Sequence, residues 1–305
     1  MKEKKKNLLK KWVNQRVLFK KLFVHFLVAI GLSNEHIQAL QIRNKVFRYI
    51  NKKYSRCLDN LEYKEETGVP PKKIWVSWLQ GLENAPEIVK MCVESIKENN
   101  KDCDVILLTS ENFKDYTTIP EFILKKYEKG IITHTHFSDI LRTNILYENG
   151  GLWIDSTVLM TGKVPAHVFQ RPLFLLSSVC RGDELVRKYN SWFLASQKNS
   201  FFMMALLKLL YTYWEKENRL REYFLWHIFA TMVAYKFPEM AAKVYEFADG
   251  NAEILRDIYA RKFDPIYWER LKEITPIHKL TYKVEEAPEH IEGTFYEYIV
   301  IKKGK

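Results

Sequence analysis

The stretch that decides the fold is THFSDILRTNILYENGGLWIDSTV, which spans Thr135–Val158. Its first half has helical spacing, and Ser138, Asp139 and Arg142 share one polar face of that helix. Two glycines then allow a sharp turn, and a short apolar strand follows that ends at Asp155. A helix, a tight turn and a strand in this order predict an α/β unit with polar side chains at one end.

Strand and helix patterns alternate on both sides of this unit. Strands are predicted over Lys73–Leu79, Asp104–Thr109, Leu152–Asp155, Leu173–Ser177 and Trp192–Ser196. Helices are predicted over Ile37–Tyr54, Pro86–Lys97, Pro120–Lys129, Phe137–Asn149, Phe201–Lys216 and Glu222–Lys236. The alternation predicts an α/β fold with a mostly parallel sheet flanked by helices. Ligands bind beyond the carboxyl ends of strands in such sheets, so we expect Asp155 and the nearby Thr157 at a site.

The charge of the chain is concentrated at its N-terminus. The 305 residues include 48 basic and 37 acidic residues, which gives a formal net charge of +11. Residues 1–60 hold 15 of the basic residues and only three acidic ones, whereas residues 61–305 are within one charge of neutral. A basic groove spread over the whole fold is therefore not expected, and we predict no nucleic-acid partner.

The N-terminal 60 residues have the pattern of a basic amphipathic helical extension, and we place the main domain at residues 61–305. The apolar run Leu22–Leu32 is 11 residues long, shorter than the roughly 20 residues that span a bilayer. Bulky apolar residues recur at helical spacing with lysines between them, which predicts that residues 1–30 bind an anionic membrane surface. The alternative is a helix packed on the main domain with a solvated basic face.

The cysteines bear on the cellular compartment. The four cysteines have neither the spacing of a zinc site nor that of a disulfide framework. We therefore expect free thiols in a reducing compartment. Together with the basic extension, this predicts a cytoplasmic protein that is peripheral on the inner face of the plasma membrane.

The polar residues of the central stretch also carry a family resemblance. The pattern S-D-x-x-R-x-x-x-L-x-x-x-G-G-x-[WY]-x-D-x-[DT] runs from Ser138 to Thr157. It resembles the core of sugar-transferring enzymes with a DXD motif, namely glycosyltransferase family 32 and, more closely, the bacterial capsular polysaccharide synthesis proteins. The resemblance covers about residues 70–285, including PKKIWVSWLQG at Pro71–Gly81 and HKLTYK at His278–Lys283.

The resemblance implies a GT-A fold, a Rossmann-like sheet that binds a nucleotide sugar, and we expect a UDP-sugar as the donor. Carried over by position, Trp78 would stack on the nucleotide base. Asp139 and Arg142 would hold the donor sugar or the ribose, with Ser138 beside them. Ser191 would also belong to this nucleotide-sugar site, although many relatives carry Asn at that position.

The resemblance further implies a divalent metal, Mn²⁺ or Mg²⁺, near the diphosphate. Asp155, Thr157 and His278 would be its ligands, and Lys283 would face the diphosphate. Thr157 stands where the family motif commonly has a second Asp. A neutral hydroxyl is a weaker ligand than a carboxylate, so either Asp155 and His278 hold the metal or the metal is loosely held.

These observations predict a glycosyltransferase that moves a hexose from a nucleotide sugar to a lipid-linked or polysaccharide acceptor in capsule or cell-surface glycan synthesis, with retention. Asp139, Asp155 and Glu222 are the candidate catalytic carboxylates, because a carboxylate stabilises the positive charge that develops on the reacting sugar. Two alternatives stay open. One is a nucleotidyltransferase of sugar metabolism, and the other is a non-catalytic membrane-associated binding protein.

Overall fold

A six-stranded sheet forms the centre of the protein, whose computed structural model describes residues 10, 12–13, 15, 17–31, 34–178, 186–248, 250–283 and 289–302. The strands are β1 (Lys73–Ser77), β2 (Asp104–Leu108), β3 (Gly151–Ile154), β4 (Val158–Met160), β5 (Leu173–Ser177), β6 (Tyr189–Ser196), β7 (Tyr245–Ala248) and β8 (Ile277–Lys279). The central sheet has the order β2-β1-β3-β6-β5-β7, and β4 pairs with β8 separately. Strand β6 runs antiparallel to β3 and β5, and the other central pairs are parallel.

Helices cover both faces of the sheet. They are α1 (Leu18–Ala29), α2 (Glu35–Tyr54), α3 (Glu87–Asn99), α4 (Glu121–Glu128), α5 (His134–Asn149), α6 (Phe201–Lys216), α7 (Leu225–Lys236), α8 (Pro238–Ala241), α9 (Gly250–Asp257) and α10 (Pro265–Ile274), with a π-helix at Tyr296–Ile301. The six predicted helices correspond to α2–α7, with ends that differ by at most three residues. The predicted α/β fold with a mostly parallel, helix-flanked sheet is confirmed.

Side chains alternate across the strands and fill two separate cores. Trp75 and Trp153 point to one side, where α2 and α4–α7 cover the sheet. Ile74 and Leu152, their neighbours in sequence, point to the other side, which α3, α9 and α10 cover. All four side chains are at most 1% exposed. Because both faces of each strand are buried, these strands are continuous apolar runs instead of alternating polar and apolar residues.

The N-terminal segment divides into a buried and an exposed helix. Val46, Ile50 and Tyr54 of α2 are buried in the same core as α6 and α7, whereas the aromatic side chains of α1 face outward. Six of the nine basic residues before position 22 lie outside the described residues. Among the described helices, none is long and apolar enough to cross a bilayer. The domain boundary at residue 60 stays a prediction.

Three cysteines are free thiols in the structure, namely Cys57, Cys92 and Cys103. Burial raises the pKa of the Cys57 and Cys103 thiols, which keeps them protonated at neutral pH. Cys180 lies outside the described residues. The cytoplasmic location stays a prediction.

The two glycines between α5 and β3 meet a steric requirement. Gly150 and Gly151 have φ values of +68° and +105°, a region that other residues rarely adopt. A Cβ on Gly151 would lie 2.8 Å from the Lys73 carbonyl oxygen. The Trp75 indole also donates a hydrogen bond of 2.8 Å to the Gly150 carbonyl. This close approach fixes where α5 meets β3, and therefore where the polar face of α5 lies.

Candidate active site

The polar residues of the central stretch converge at the carboxyl edge of the sheet. Strands β1 and β3 are parallel neighbours, so Trp78 and Asp155, which follow them, lie at the same edge. The Asp155 amide donates to the Trp192 carbonyl at 2.8 Å, and its own carbonyl accepts from Val158 at 3.0 Å. These bonds hold Asp155 in a tight turn between β3 and β4.

Arg142 connects the helix to the strands. Its Nη2 lies 3.5 Å from Asp139 Oδ1 and 3.4 Å from Asp155 Oδ1. Its Nε donates to the Ser138 carbonyl at 3.3 Å, and its Nη1 donates to the Ser191 carbonyl. The side chain is only 5% exposed. The guanidinium is therefore a buried clamp that holds two carboxylates in fixed positions.

Asp155 is held as a carboxylate. Trp153 Nε1 donates to its Oδ1 at 3.0 Å, and Lys279 Nζ donates to its Oδ2 at 2.9 Å. Burial acts to raise the pKa of Asp155, but the charges of Lys279 and Arg142 outweigh it, so the pKa lies below its ordinary value. The group is therefore ionised at neutral pH.

Lys279 is the site residue that sequence reasoning missed. Its ammonium bridges Asp155 Oδ2 and Thr157 Oγ1, at 2.9 Å and 2.7 Å. It reaches them because β8 pairs with β4 in a register that sets Lys279 opposite Val158. The signal for Lys279 in the sequence is the HKLTYK segment, where the family resemblance points to the neighbouring His278 and to Lys283 instead.

Three predicted residues do not contact Asp155 or Arg142 in the described part of the chain. His278 is fully buried with its Nε2 3.1 Å from Thr161 Oγ1, because adjacent residues of a strand point to opposite faces. Glu222 accepts hydrogen bonds from Gln15 and the Phe224 amide, so it faces the N-terminal segment. Lys283 is exposed, and the described lysine that contacts Asp155 is Lys279.

Aromatic and imidazole groups border the cluster. Burial and the charges of Asp139 and Asp155 raise the pKa of Tyr223, the residue after Glu222. Burial lowers the pKa of His227 to about 4, so its imidazole is neutral at pH 7. His227 Nδ1 is buried and has no hydrogen-bond partner in the described part of the chain.

Trp78 provides an aromatic surface at this edge of the sheet. Its ring meets Tyr282 edge-on, with centroids 5.4 Å apart at 90°. Tyr282 is 47% exposed. An indole half-buried beside an exposed phenol offers an aromatic surface at the same sheet edge as Asp155, and a planar base can stack on such a surface.

The donor set does not fit the implied metal. At a diphosphate, Mg²⁺ and Mn²⁺ are held by one or two protein carboxylates together with phosphate and water oxygens. Within the described ranges, no group of three or more His, Cys, Asp or Glu side chains could hold a metal ion. The point between Asp155 and Thr157 is taken by the Lys279 ammonium. Where Mn²⁺ or Mg²⁺ was expected, the described residues therefore offer one carboxylate and one hydroxyl, and a lysine already bridges the two.

Several solved structures resemble this fold distantly. A structure described as "PaToxG Glycosyltransferase" has a TM-score of 0.41 and 15% identity, and the match covers 66% of this chain and 80% of that chain. The glycosyltransferase GlyE of Streptococcus pneumoniae TIGR4 has a TM-score of 0.38 and 14% identity, with 70% of this chain and 55% of that chain covered. Likenesses at this level carry no argument about activity.

The sequence itself gives a family assignment. A comparison with curated proteins finds no match. The profile of the family described as "Capsular polysaccharide synthesis protein" matches residues 28–299, which is most of the chain and includes every residue of the cluster at the sheet edge. The chain therefore belongs to the capsular polysaccharide synthesis protein family.

Proposed function

We propose that this member of the capsular polysaccharide synthesis family is a glycosyltransferase that takes a hexose from a nucleotide sugar. The observation that carries the proposal is the clamp of Asp139 and Asp155 by Arg142, at 3.5 Å and 3.4 Å, at the carboxyl edge of a parallel sheet. Two carboxyl groups in fixed positions, with Asp155 held ionised, suit a reacting sugar, because its anomeric carbon becomes positively charged in the transition state.

The proposed roles follow from burial. Asp155 is 26% exposed and so is the carboxylate that a ligand can reach, whereas Asp139 is 8% exposed. Arg142 uses its donors within the protein, so we assign it as a positioning residue for both. The aromatic corner of Trp78 and Tyr282 is the proposed place for the nucleotide base, and UDP-sugars are the donors we expect to be used.

The proposed reaction is a front-face displacement with retention. The bond between the anomeric carbon and the β-phosphate oxygen breaks, and its electron pair leaves with the diphosphate. The acceptor hydroxyl oxygen bonds to the same face of the anomeric carbon, and its proton passes to the departing diphosphate oxygen. The products are a nucleoside diphosphate and the extended glycan.

The direct test of this reaction is to incubate the protein with nucleotide sugars and identify the released product. A nucleoside diphosphate is expected, and NMR of the glycosylated product should show the anomeric configuration of the donor. An inverted product would contradict the front-face displacement. Release of inorganic pyrophosphate would instead favour the nucleotidyltransferase alternative. Absence of turnover with every donor, combined with membrane binding, would favour a non-catalytic binding protein.

We also propose that the acceptor is attached to a membrane lipid and that α1 docks on the anionic inner face of the plasma membrane. The exposed apolar side chains of α1 lie on one face, with Phe19 85%, Leu22 52%, Phe23 60% and Phe26 59% exposed. Lysines flank that face, and aromatic groups with lysines beside them bind anionic interfaces. Residues 1–9, which belong to the same predicted surface, lie outside the described residues.

Vesicle sedimentation tests this docking. The protein is expected to bind vesicles that contain phosphatidylglycerol, and to bind neutral phosphatidylcholine vesicles much less. Phe19→Ser with Phe23→Ser should abolish binding, whereas Ile266→Ser, which changes an equally exposed apolar residue of α10, should not. Equal binding by the α1 double variant would contradict the proposed docking surface.

A further inference from the structure

The ammonium of Lys279 occupies the point that a divalent cation would need in this site. We propose that Lys279 replaces the metal, so that nucleotide-sugar binding and transfer proceed without any divalent cation. This inference rests on the proposed function and names the group that neutralises the leaving diphosphate. It concerns a residue that the sequence motif alone does not select.

Lys279 is a counter-ion of Asp155 that keeps one hydrogen-bond donor for a ligand. An ammonium has three donors. Two of them go to Asp155 Oδ2 at 2.9 Å and Thr157 Oγ1 at 2.7 Å, and the third has no hydrogen-bond acceptor among the described residues, with the Trp192 ring centroid 5.8 Å from Nζ. The side chain is 16% exposed, so this donor can meet a ligand that reaches Asp155.

The charges around Lys279 balance before a ligand arrives. Asp139 and Asp155 contribute two negative charges, and Arg142 and Lys279 contribute two positive ones. Arg142 is 5% exposed and directs its donors to protein groups. Of the two cations, Lys279 is therefore the one that a diphosphate can contact. A lysine is a compact point charge and binds phosphate oxygens well in this role.

The neutral hydroxyl of Thr157 is compatible with a lysine ammonium at this position. A second carboxylate at this position would attract a divalent cation, but a hydroxyl contributes no charge. The Thr157 hydroxyl instead accepts from Lys279 and is 7% exposed. A metal ion that bound both oxygens would have to expel the ammonium from its two described partners. The departure from the DXD pattern and the presence of Lys279 are thus two parts of one arrangement.

Lys279 would act on the leaving group. As the bond between the anomeric carbon and the β-phosphate oxygen breaks, the electron pair stays on that oxygen, and the ammonium stabilises the added charge by a hydrogen bond without giving up its proton. The proton of the acceptor hydroxyl goes to the diphosphate. The step therefore needs no co-reactant beyond the nucleotide sugar and the acceptor.

Calorimetry of the full chain with UDP, GDP, CDP, ADP and dTDP tests the inference, in buffers with EDTA or with Mn²⁺. We expect at least one of these to bind in EDTA with an affinity within about threefold of that in Mn²⁺. Binding that requires Mn²⁺ would overturn the inference and leave the proposed function standing. Absence of binding for all five in both buffers would overturn both.

Two variants and a control separate charge from folding. Lys279→Met is expected to weaken binding in EDTA by about 10- to 100-fold, the usual contribution of a charged hydrogen bond. Lys279→Arg should retain binding within about tenfold, and Lys163→Met, which changes a lysine that is 71% exposed, should have no effect. Wild-type affinity in Lys279→Met, or equal losses in Lys279→Met and Lys279→Arg, would contradict a role as the cation.

Discussion

Replacing Glu217 by Gln is expected to destabilise the attachment of the N-terminal segment to the main domain. Glu217 follows α6 and is 6% exposed. It accepts a hydrogen bond of 2.9 Å from Tyr54 and one of 2.9 Å from Arg221, and it pairs with Lys53. Two of these partners belong to α2, so one buried carboxylate fastens α2 to the end of α6.

The size of the expected stability loss follows from the pKa of the Glu217 carboxyl group. Burial acts to raise the pKa of Glu217, but hydrogen bonds from Lys53, Arg221 and Tyr54 outweigh it and lower the value from 4.5 to about 2. At about 1.4 kcal/mol per pKa unit, this stabilises the folded state by about 3 kcal/mol at pH 7. Because the folded pKa is depressed, this contribution is complete above pH 4.5 and is lost as the pH falls toward 2.

Urea denaturation of Glu217→Gln and the wild type at several pH values measures this contribution. We expect the variant to be about 2–3 kcal/mol less stable at pH 7, and the difference to narrow to about 1 kcal/mol at pH 3. Glu87→Gln, which breaks the exposed pair with Lys90, should change stability by less than about 0.5 kcal/mol. The reasoning would be refuted if Glu217→Gln were as stable as Glu87→Gln. It would also be refuted if the difference in unfolding free energy between Glu217→Gln and the wild type did not depend on pH.

Two further predictions concern the turn before β3 and the site itself. Gly151→Ala is expected to lose at least about 2 kcal/mol of unfolding free energy, because its Cβ would meet the Lys73 carbonyl. Gly130 also has a positive φ, +69°, but a Cβ there would meet open space, so calorimetric unfolding of Gly130→Ala should show a smaller loss of about 1 kcal/mol, and equal losses would contradict the close approach. His227 has a pKa lowered to about 4 by burial, so the wild type should lose about 2 kcal/mol between pH 7.5 and pH 5 as the unfolded imidazole is protonated. His227→Gln should lose less over the same range, and an unchanged pH dependence would show that His227 is not buried as a neutral group.

The central unit could be predicted from the sequence because its signals are local. The Gly-Gly pair, the helical spacing of Ser138, Asp139 and Arg142, and the short apolar strand each depend on neighbouring residues, and the structure places them as expected. The alternation of strands and helices was likewise sufficient for the fold class. The family assignment from these residues is confirmed.

The position of Lys279 at the site depends on the pairing register of β8, which local sequence patterns do not determine. Strand β8 has only three residues, and its pairing with β4 decides that Lys279 faces Asp155 while His278 faces the core. A shift of one residue reverses the two. Glu222 and Tyr223 show the same limit, because they lie in the loop before α7 and no periodic pattern sets which one faces Asp155.

The most direct test of the account is the rate of nucleoside diphosphate release by Asp155→Asn in EDTA, with Asp257→Asn as the matched control. Asp257 is 70% exposed at the end of α9, so its variant should keep the wild-type rate. Asp155→Asn keeps the shape of the side chain but removes the charge that meets the sugar and Lys279, and we predict a loss of about 100-fold or more in a variant that circular dichroism shows to be folded at the assay temperature. An Asp155→Asn variant that turns over nucleotide sugar at the wild-type rate would contradict the assignment of the active site.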